Sequence, residues 1–183
     1  DRGDIVKKDI DKLTKNLEIP TITVIGQNSV AVPVYQIEAI IEYGSQASRE
    51  IFERGLEEGK LIKALLDEDK IKSLILLDNG DIIPSTFHYI SLRNRCSEWL
   101  TFVTTVGGDN AGINIDKIHF LINYKYCDQA VVDEILERYH VVIGYDDIDK
   151  TRSMIVMQSC TVYPSTFNFS TLRRRLSSSK EDI

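Results

Sequence analysis

Apolar side chains fall at alternating steps of four and three through the first segment, at Val6, Ile10, Leu13 and Leu17, with Lys7, Lys8, Lys12 and Lys15 elsewhere. That spacing predicts an amphipathic helix over 4–18, closed by Pro20. Such a helix serves either to dock on the neighbouring domain or to self-associate, and two heptads are too few for a coiled coil. From Thr21 the period drops to two. Thr21-Ile22-Thr23-Val24-Ile25 alternates as a strand does, and so does Leu100-Thr101-Phe102-Val103-Thr104. Turns are expected at 26–28 and at 107–110, where Gly and Asn gather. A second extended stretch then runs from Val30 through Val34 to Ile37, Ile40 and Ile41. Its counterpart leads from Ile113 and Ile115 to Ile118, Leu121 and Ile122.

Ser45 and Asp128 suit helix N-caps, and behind them the 3.6-residue period returns. Ile51, Phe52 and Leu56 mark one helical face, and Val131, Val132, Ile135, Leu136 and Tyr139 another. Short strands are expected at Leu61-Ile62 and at Val141-Val142-Ile143. The most apolar strands follow, Leu74 to Leu77 and Met154 to Met157, each leading through a turn to a return strand and a short helix around Leu92 or Leu172.

The same order thus occurs twice. Pro84-Ser85-Thr86-Phe87 returns as Pro164-Ser165-Thr166-Phe167, eighty positions later, and about a third of positions from 56 to 97 are identical at that offset. Upstream the offset is eighty-one, pairing Ile37, Ile41 and Tyr43 with Ile118, Ile122 and Tyr124. A unit of this size is too long for a solenoid repeat and large enough for its own core. The reading is an α+β protein of two tandem copies of a small, mainly antiparallel β module with helices, roughly β-β-α-β-β-β-α each. Its expected divisions are an N-terminal amphipathic helix (1–18), module 1 (19–98), module 2 (99–176) and a polar tail (177–183).

Composition narrows the chemistry. Apolar content of 43% and charged content of 27% are those of a globular protein, and no run approaches the roughly 20 apolar residues that span a bilayer. Three cysteines, without CxxC spacing, read as reduced thiols in a cytoplasmic protein. A net charge of −6 argues against a generic polyanion binder, so nucleic-acid contact would need a local patch. His88, His119 and His140 share no ligand spacing, and Gly107-Gly108-Asp109 lacks the phosphate-cradling pattern. No catalytic residue, metal site, cofactor or small-molecule substrate is expected. The repeated Pro-Ser-Thr-Phe reads structurally: proline ends a strand, Ser or Thr caps the next helix, and Phe plugs the core. Arg93 and Arg95, like Arg173, Arg174 and Arg175, fit either a solvated helix end or a phosphate contact.

Residues 22–95 resemble the RemA family of bacterial regulators of extracellular-matrix genes. The resemblance rests on the isoleucine-rich stretch from Val30 to Ile41, the helix from Arg49 to Gly59, and Leu61-Ile62. It continues through the loop from Asp67 to Lys72, the strand from Leu74 to Asp78, and Ser91-Leu92-Arg93-Asn94-Arg95. The second copy fits more loosely, with Thr171 to Arg175 its clearest match. The resemblance implies a non-enzymatic, DNA-binding protein whose subunits assemble into rings. The family's contact positions fall on Gln36 and Lys117, on Asp69, Lys70 and Lys72, and on Asp149, Lys150 and Arg152. Arginines that grip phosphate are thus replaced by an Asp-Lys-x-Lys/Arg pattern, and an acid there opposes binding.

Two functions are therefore expected. The first is a DNA-binding regulator or DNA-organising protein acting as a ring or other homo-oligomer on double-stranded DNA. Its contacts would come from Lys70, Lys72, Lys117, Lys150, Arg152, Arg173, Arg174 and Arg175. The second is an oligomeric scaffold that keeps the assembly surface and has lost DNA.

Overall fold

The computed structural model describes residues 19–26, 30–62, 67–104, 111–141 and 148–178. The helix expected over 4–18 lies outside these residues. So do most of both turns at 26–28 and 107–110, most of the 141–143 strand, and the tail beyond Ser178.

Mixed α and β structure fills the described residues, with four α-helices and three mostly antiparallel sheets. In the first half β1 (Thr21–Ile25), β2 (Val30–Pro33) and β3 (Ile37–Glu42) precede α1 (Gln46–Glu57), β4 (Ser73–Leu77), β5 (Ile82–Ser85) and α2 (Tyr89–Cys96). In the second half β6 (Phe102–Thr104), β7 (Ala111–Asn114) and β8 (Ile118–Ile122) precede α3 (Gln129–Arg138) and β9 (His140–Val141). Then come β10 (Ser153–Met157), β11 (Thr161–Ser165) and α4 (Phe169–Ser178).

The long second strand expected in each half is in fact two. A 3-10 turn interrupts it at Val34–Gln36 and again at Ile115–Lys117. In the second half Asn114 stabilises the break, its side-chain oxygen accepting from the Asp116 N–H at 3.1 Å. The Leu61-Ile62 strand shrinks to one parallel bridge, Leu61 with Ile82. Both expected caps are present: Ser45 Oγ accepts from the Ser48 N–H, and Asp128 Oδ1 from the Ala130 N–H.

Strand registers recur. Ser73↔Ser85, Leu74↔Pro84, Ile75↔Ile83 and Leu76↔Ile82 join β4 to β5. Ser153↔Ser165, Met154↔Pro164, Ile155↔Tyr163 and Val156↔Val162 join β10 to β11. β3 meets β4, and β8 meets β10, with the same one-residue bulge, at Glu38 and at His119. Ser73 Oγ donates to the Phe87 carbonyl at 2.6 Å, and Ser153 Oγ to the Phe167 carbonyl at 2.7 Å. The reading of Ser or Thr as a helix cap is corrected. His88 stands at the α2 N-cap without a side-chain cap bond, and Glu42 accepts from the Tyr89 N–H instead. Ser85 ties β5 to β1, donating to the Val24 carbonyl, while the Phe87 N–H donates back to it.

The two halves do not keep separate sheets. β7 pairs with β3 through Ala39↔Ile113, Ile40↔Gly112 and Ile41↔Ala111, producing a five-stranded sheet in the order β5-β4-β3-β7-β6. The second half keeps a four-stranded sheet, β8-β10-β11-β9, in which β9 runs parallel to β11. Hairpin β1–β2 forms the third sheet, and its Ile22, Val24 and Val32 pack with Ile37, Ile40, Ile75 and Leu92. Hairpin β6–β7 packs similarly with Ile155, Met157, Tyr163 and Leu172 of its own half. One hairpin therefore covers its own half and extends the neighbouring sheet.

A candidate anion-binding cleft

Backbone bonds at the end of β8 bring three cations together. The Arg152 N–H donates to the Ser165 carbonyl at 2.9 Å, and the Lys125 N–H to the Arg152 carbonyl at 3.4 Å. These anchor the chain on either side of an open cleft of about 610 Å³. Tyr124, Lys125, Gln129, Asp149, Lys150 and Arg152 line it, with Thr151 and Thr166 behind. Arg152 Nη1 also donates to Asn168 Oδ1 at 3.3 Å, which steadies the guanidinium. Among the described residues that line it, three cations face one carboxylate on an otherwise acidic protein. Charged donors of this kind form the strong hydrogen bonds that hold phosphate oxygens.

The corresponding place in the first half is built otherwise. Gly44 stands where Lys125 does, and Glu68 where Ile148 does. The Tyr43 hydroxyl donates to Glu68 Oε1 at 2.8 Å, and burial, with Glu68 beside it, pushes that phenol up to about 12. Lys70 pairs with Asp67 at 3.1 Å, and Lys72 is exposed. The first half keeps Lys70 and Lys72 at the places of Lys150 and Arg152, but lacks the third cation and adds Glu68.

The other sequence-predicted contacts scatter. Lys117 pairs with Asp78 at 3.0 Å, half-buried where the two halves meet. The Arg175 guanidinium lies 4.1 Å over the Phe167 ring, as Arg95 lies 3.9 Å over Phe87. Such stacking accounts for the cation after each Pro-Ser-Thr-Phe string. Arg173 lies 5.7 Å from the Phe169 ring centre, and Arg174 is exposed. Only Lys150 and Arg152 of the predicted set share one recess. Lys125 was not anticipated; the signal lay in the alignment, where a lysine replaces a glycine beside paired tyrosines.

A second cavity, about 190 Å³, lies between the halves and is lined by Glu38, Arg54, Lys60, Asp78 and Ser159 among others. Glu38 is 2% exposed. It accepts from the Tyr163 hydroxyl at 2.7 Å and from Ser159 Oγ. Burial raises its pKa above the ordinary carboxylate value, and Asp78 adds to that, against the pull of Ser159, Tyr163 and Lys117. Each donor or carboxyl here is bonded within the protein, which marks a joint. Among the described residues no group of His, Cys, Asp and Glu could hold a metal ion. No helix there is long and apolar enough to cross a membrane. No protein-family model, no curated protein and no solved structure matches the chain.

Proposed function

We propose that the chain consists of two diverged, tandemly duplicated RemA-like modules. It acts without catalysis, as an oligomeric regulator or organiser of DNA that grips the phosphate backbone. The duplication draws support from the recurring registers and from the bulge shared by β3 and β8. The observation that carries the function is the cleft in which Lys125, Lys150 and Arg152 converge. Contact through phosphates needs no base readout, and few cations per chain make avidity from several copies necessary. Module 2 is the DNA-facing half in this reading, and module 1 supplies the frame. DNA binding would weaken steeply with salt, with a log–log slope of roughly −0.9 per phosphate neutralised. The variant Lys150→Glu/Arg152→Glu is expected to abolish retention of duplex DNA at low salt while its unfolding midpoint stays unchanged. Unaltered retention would remove the cleft from the account.

A scaffold without DNA is the second reading. It is favoured by Lys117, engaged by Asp78, and by Glu68, which accepts from Tyr43 in module 1 where module 2 has Ile148. An assembling chain that leaves DNA unshifted at low salt would decide for it.

A further inference from the structure

We propose that a second copy of this chain lays its β1–β2 hairpin along the open edge of β8, with Val32, Ala31 and Val30 opposite Phe120, Leu121 and Ile122. This deepens the oligomer in the function proposed above. It rests on the repeat and is independent of DNA.

The template is inside the chain. β7 adds to β3 through Ala39↔Ile113, Ile40↔Gly112 and Ile41↔Ala111. Eighty-one positions separate β2 from β7 and β3 from β8, so the same joint pairs β2 with β8. Within one chain that joint is not made. β8 ends its sheet, with β10 its sole neighbour, and β2 pairs with β1 alone among the described residues. Open strand edges invite addition of a further strand.

Burial points to the same place. Ile37, Ala39 and Ile40 are each 0% exposed beneath the internal joint. Their counterparts Ile118, Phe120 and Leu121 are half-buried. Tyr89, 3% exposed, is covered by β6–β7, while its counterpart Phe169 is half-buried.

The side chains fit the second joint as well. A Cβ on Gly112 would stand 2.5 Å from the Tyr89 hydroxyl oxygen, so glycine is required there. In the joint between chains Ala31 meets Phe169, which has no hydroxyl. Lys117 and Asp78, an ion pair across the internal joint, become Gln36 and Gln158, two amides that leave no charge unpaired. One internal bond is lost. Asn114 Nδ2 donates to the Ile37 carbonyl at 2.9 Å, and Pro33 takes its place. The joint between chains is accordingly the weaker one. Because β2 and β8 are different surfaces, the contact is head-to-tail and propagates, closing into a ring or continuing as a filament.

Light scattering and sedimentation over a range of concentrations test this on the full chain. The unaltered protein is expected to exceed one chain in mass as concentration rises. Phe169→Tyr reinstates the obstructing hydroxyl and should weaken association about tenfold, the scale of overpacking one group. Adding Ala31→Gly recreates the Tyr89–Gly112 pair and should restore it. Ala31→Arg, at a position exposed in the single chain, blocks the hairpin end. On its own this variant should remain a single chain. A protein that stays single up to about 1 mM, the weak limit of specific affinity, overturns the proposal whatever else covers β8. So does a mass unchanged by Phe169→Tyr or not restored by Ala31→Gly. Assembly without DNA binding would refute the regulator and leave this joint standing. DNA binding by a protein that stays a single chain would refute this joint and the need for avidity, and leave the phosphate-gripping cleft standing.

Discussion

Removing the Glu38 side chain should destabilise the protein more at about pH 5 than at about pH 8. The carboxyl is 2% exposed and accepts from the Tyr163 hydroxyl at 2.7 Å. In Glu38→Ala, Ser159 keeps its contact with Thr161 Oγ1 at 3.1 Å, but the Tyr163 hydroxyl is stranded in the core. An orphaned buried hydroxyl costs about 1–3 kcal/mol, and the lost volume adds about 1, so the protonated site contributes roughly 2–4 kcal/mol. Desolvation holds the folded-state pKa above the ordinary 4.5. The folded protein therefore binds this proton more tightly than the unfolded chain. The resulting stability is complete below about pH 4.5 and is lost as pH climbs through the folded-state midpoint. Each unit of separation is worth about 1.4 kcal/mol. The alanine penalty consequently shrinks as pH rises, and Glu38→Gln, neutral throughout, gains on the unaltered protein along the same slope. Urea unfolding followed by the fluorescence of the lone Trp99, at several pH values, gives both differences. An alanine penalty that is flat or grows with pH would refute the reasoning.

Two further outcomes follow from the paired turns and strands. Cys160 adopts φ 68 at the position where Gly80 adopts φ 92, and a side chain in the left-handed region costs about 1–2 kcal/mol. Cys160→Gly should raise stability by about 1 kcal/mol and Gly80→Ala lower it by about 1, read as opposite shifts in Tm. Ser73 and Ser153, both 0% exposed, hold equivalent carbonyls, so each Ser→Ala change should cost about 1 kcal/mol in urea unfolding. A loss confined to one of the two would mean that the halves are not held alike.

Periodicity made much of this fold legible. Alternation located β1 and β6, unbroken apolar runs located β4 and β10, and the N-cap chemistry of Ser45 and Asp128 located α1 and α3. The same period conceals other features. The spacing of Val30 to Ile41 does not reveal that Val34–Gln36 tightens into a 3-10 turn, which leaves Tyr35 and Gln36 exposed between buried Val34 and Ile37. Glu38 was the visible irregularity, a carboxylate inside Ile37-Glu38-Ala39-Ile40. Its bulge, and its partners more than 120 positions away, depend on tertiary contact. For the candidate cleft, Lys150 and Arg152 came from one loop and could be anticipated together. Lys125 reaches them only through the Lys125–Arg152 backbone bond.

The sheet that a strand joins was the least legible property, and the reason is geometric. Alternation reports which face of a strand is covered, while the partner on its edge is chosen by backbone hydrogen bonds that any residue except proline can make. β1–β2 and β6–β7 carry the same signal and each packs on its own half, yet only β6–β7 also extends a neighbouring sheet. A row of two such units has one complete joint between them and half a joint at either end. The residues at those ends that lost burial, Ile118, Phe120, Leu121 and Phe169, are the counterparts of residues buried at the complete joint. In the joint proposed above, Gln36 and Gln158 would stand where Lys117 and Asp78 pair internally, and Phe169, without a hydroxyl, would stand opposite Ala31, where Tyr89 packs on Gly112.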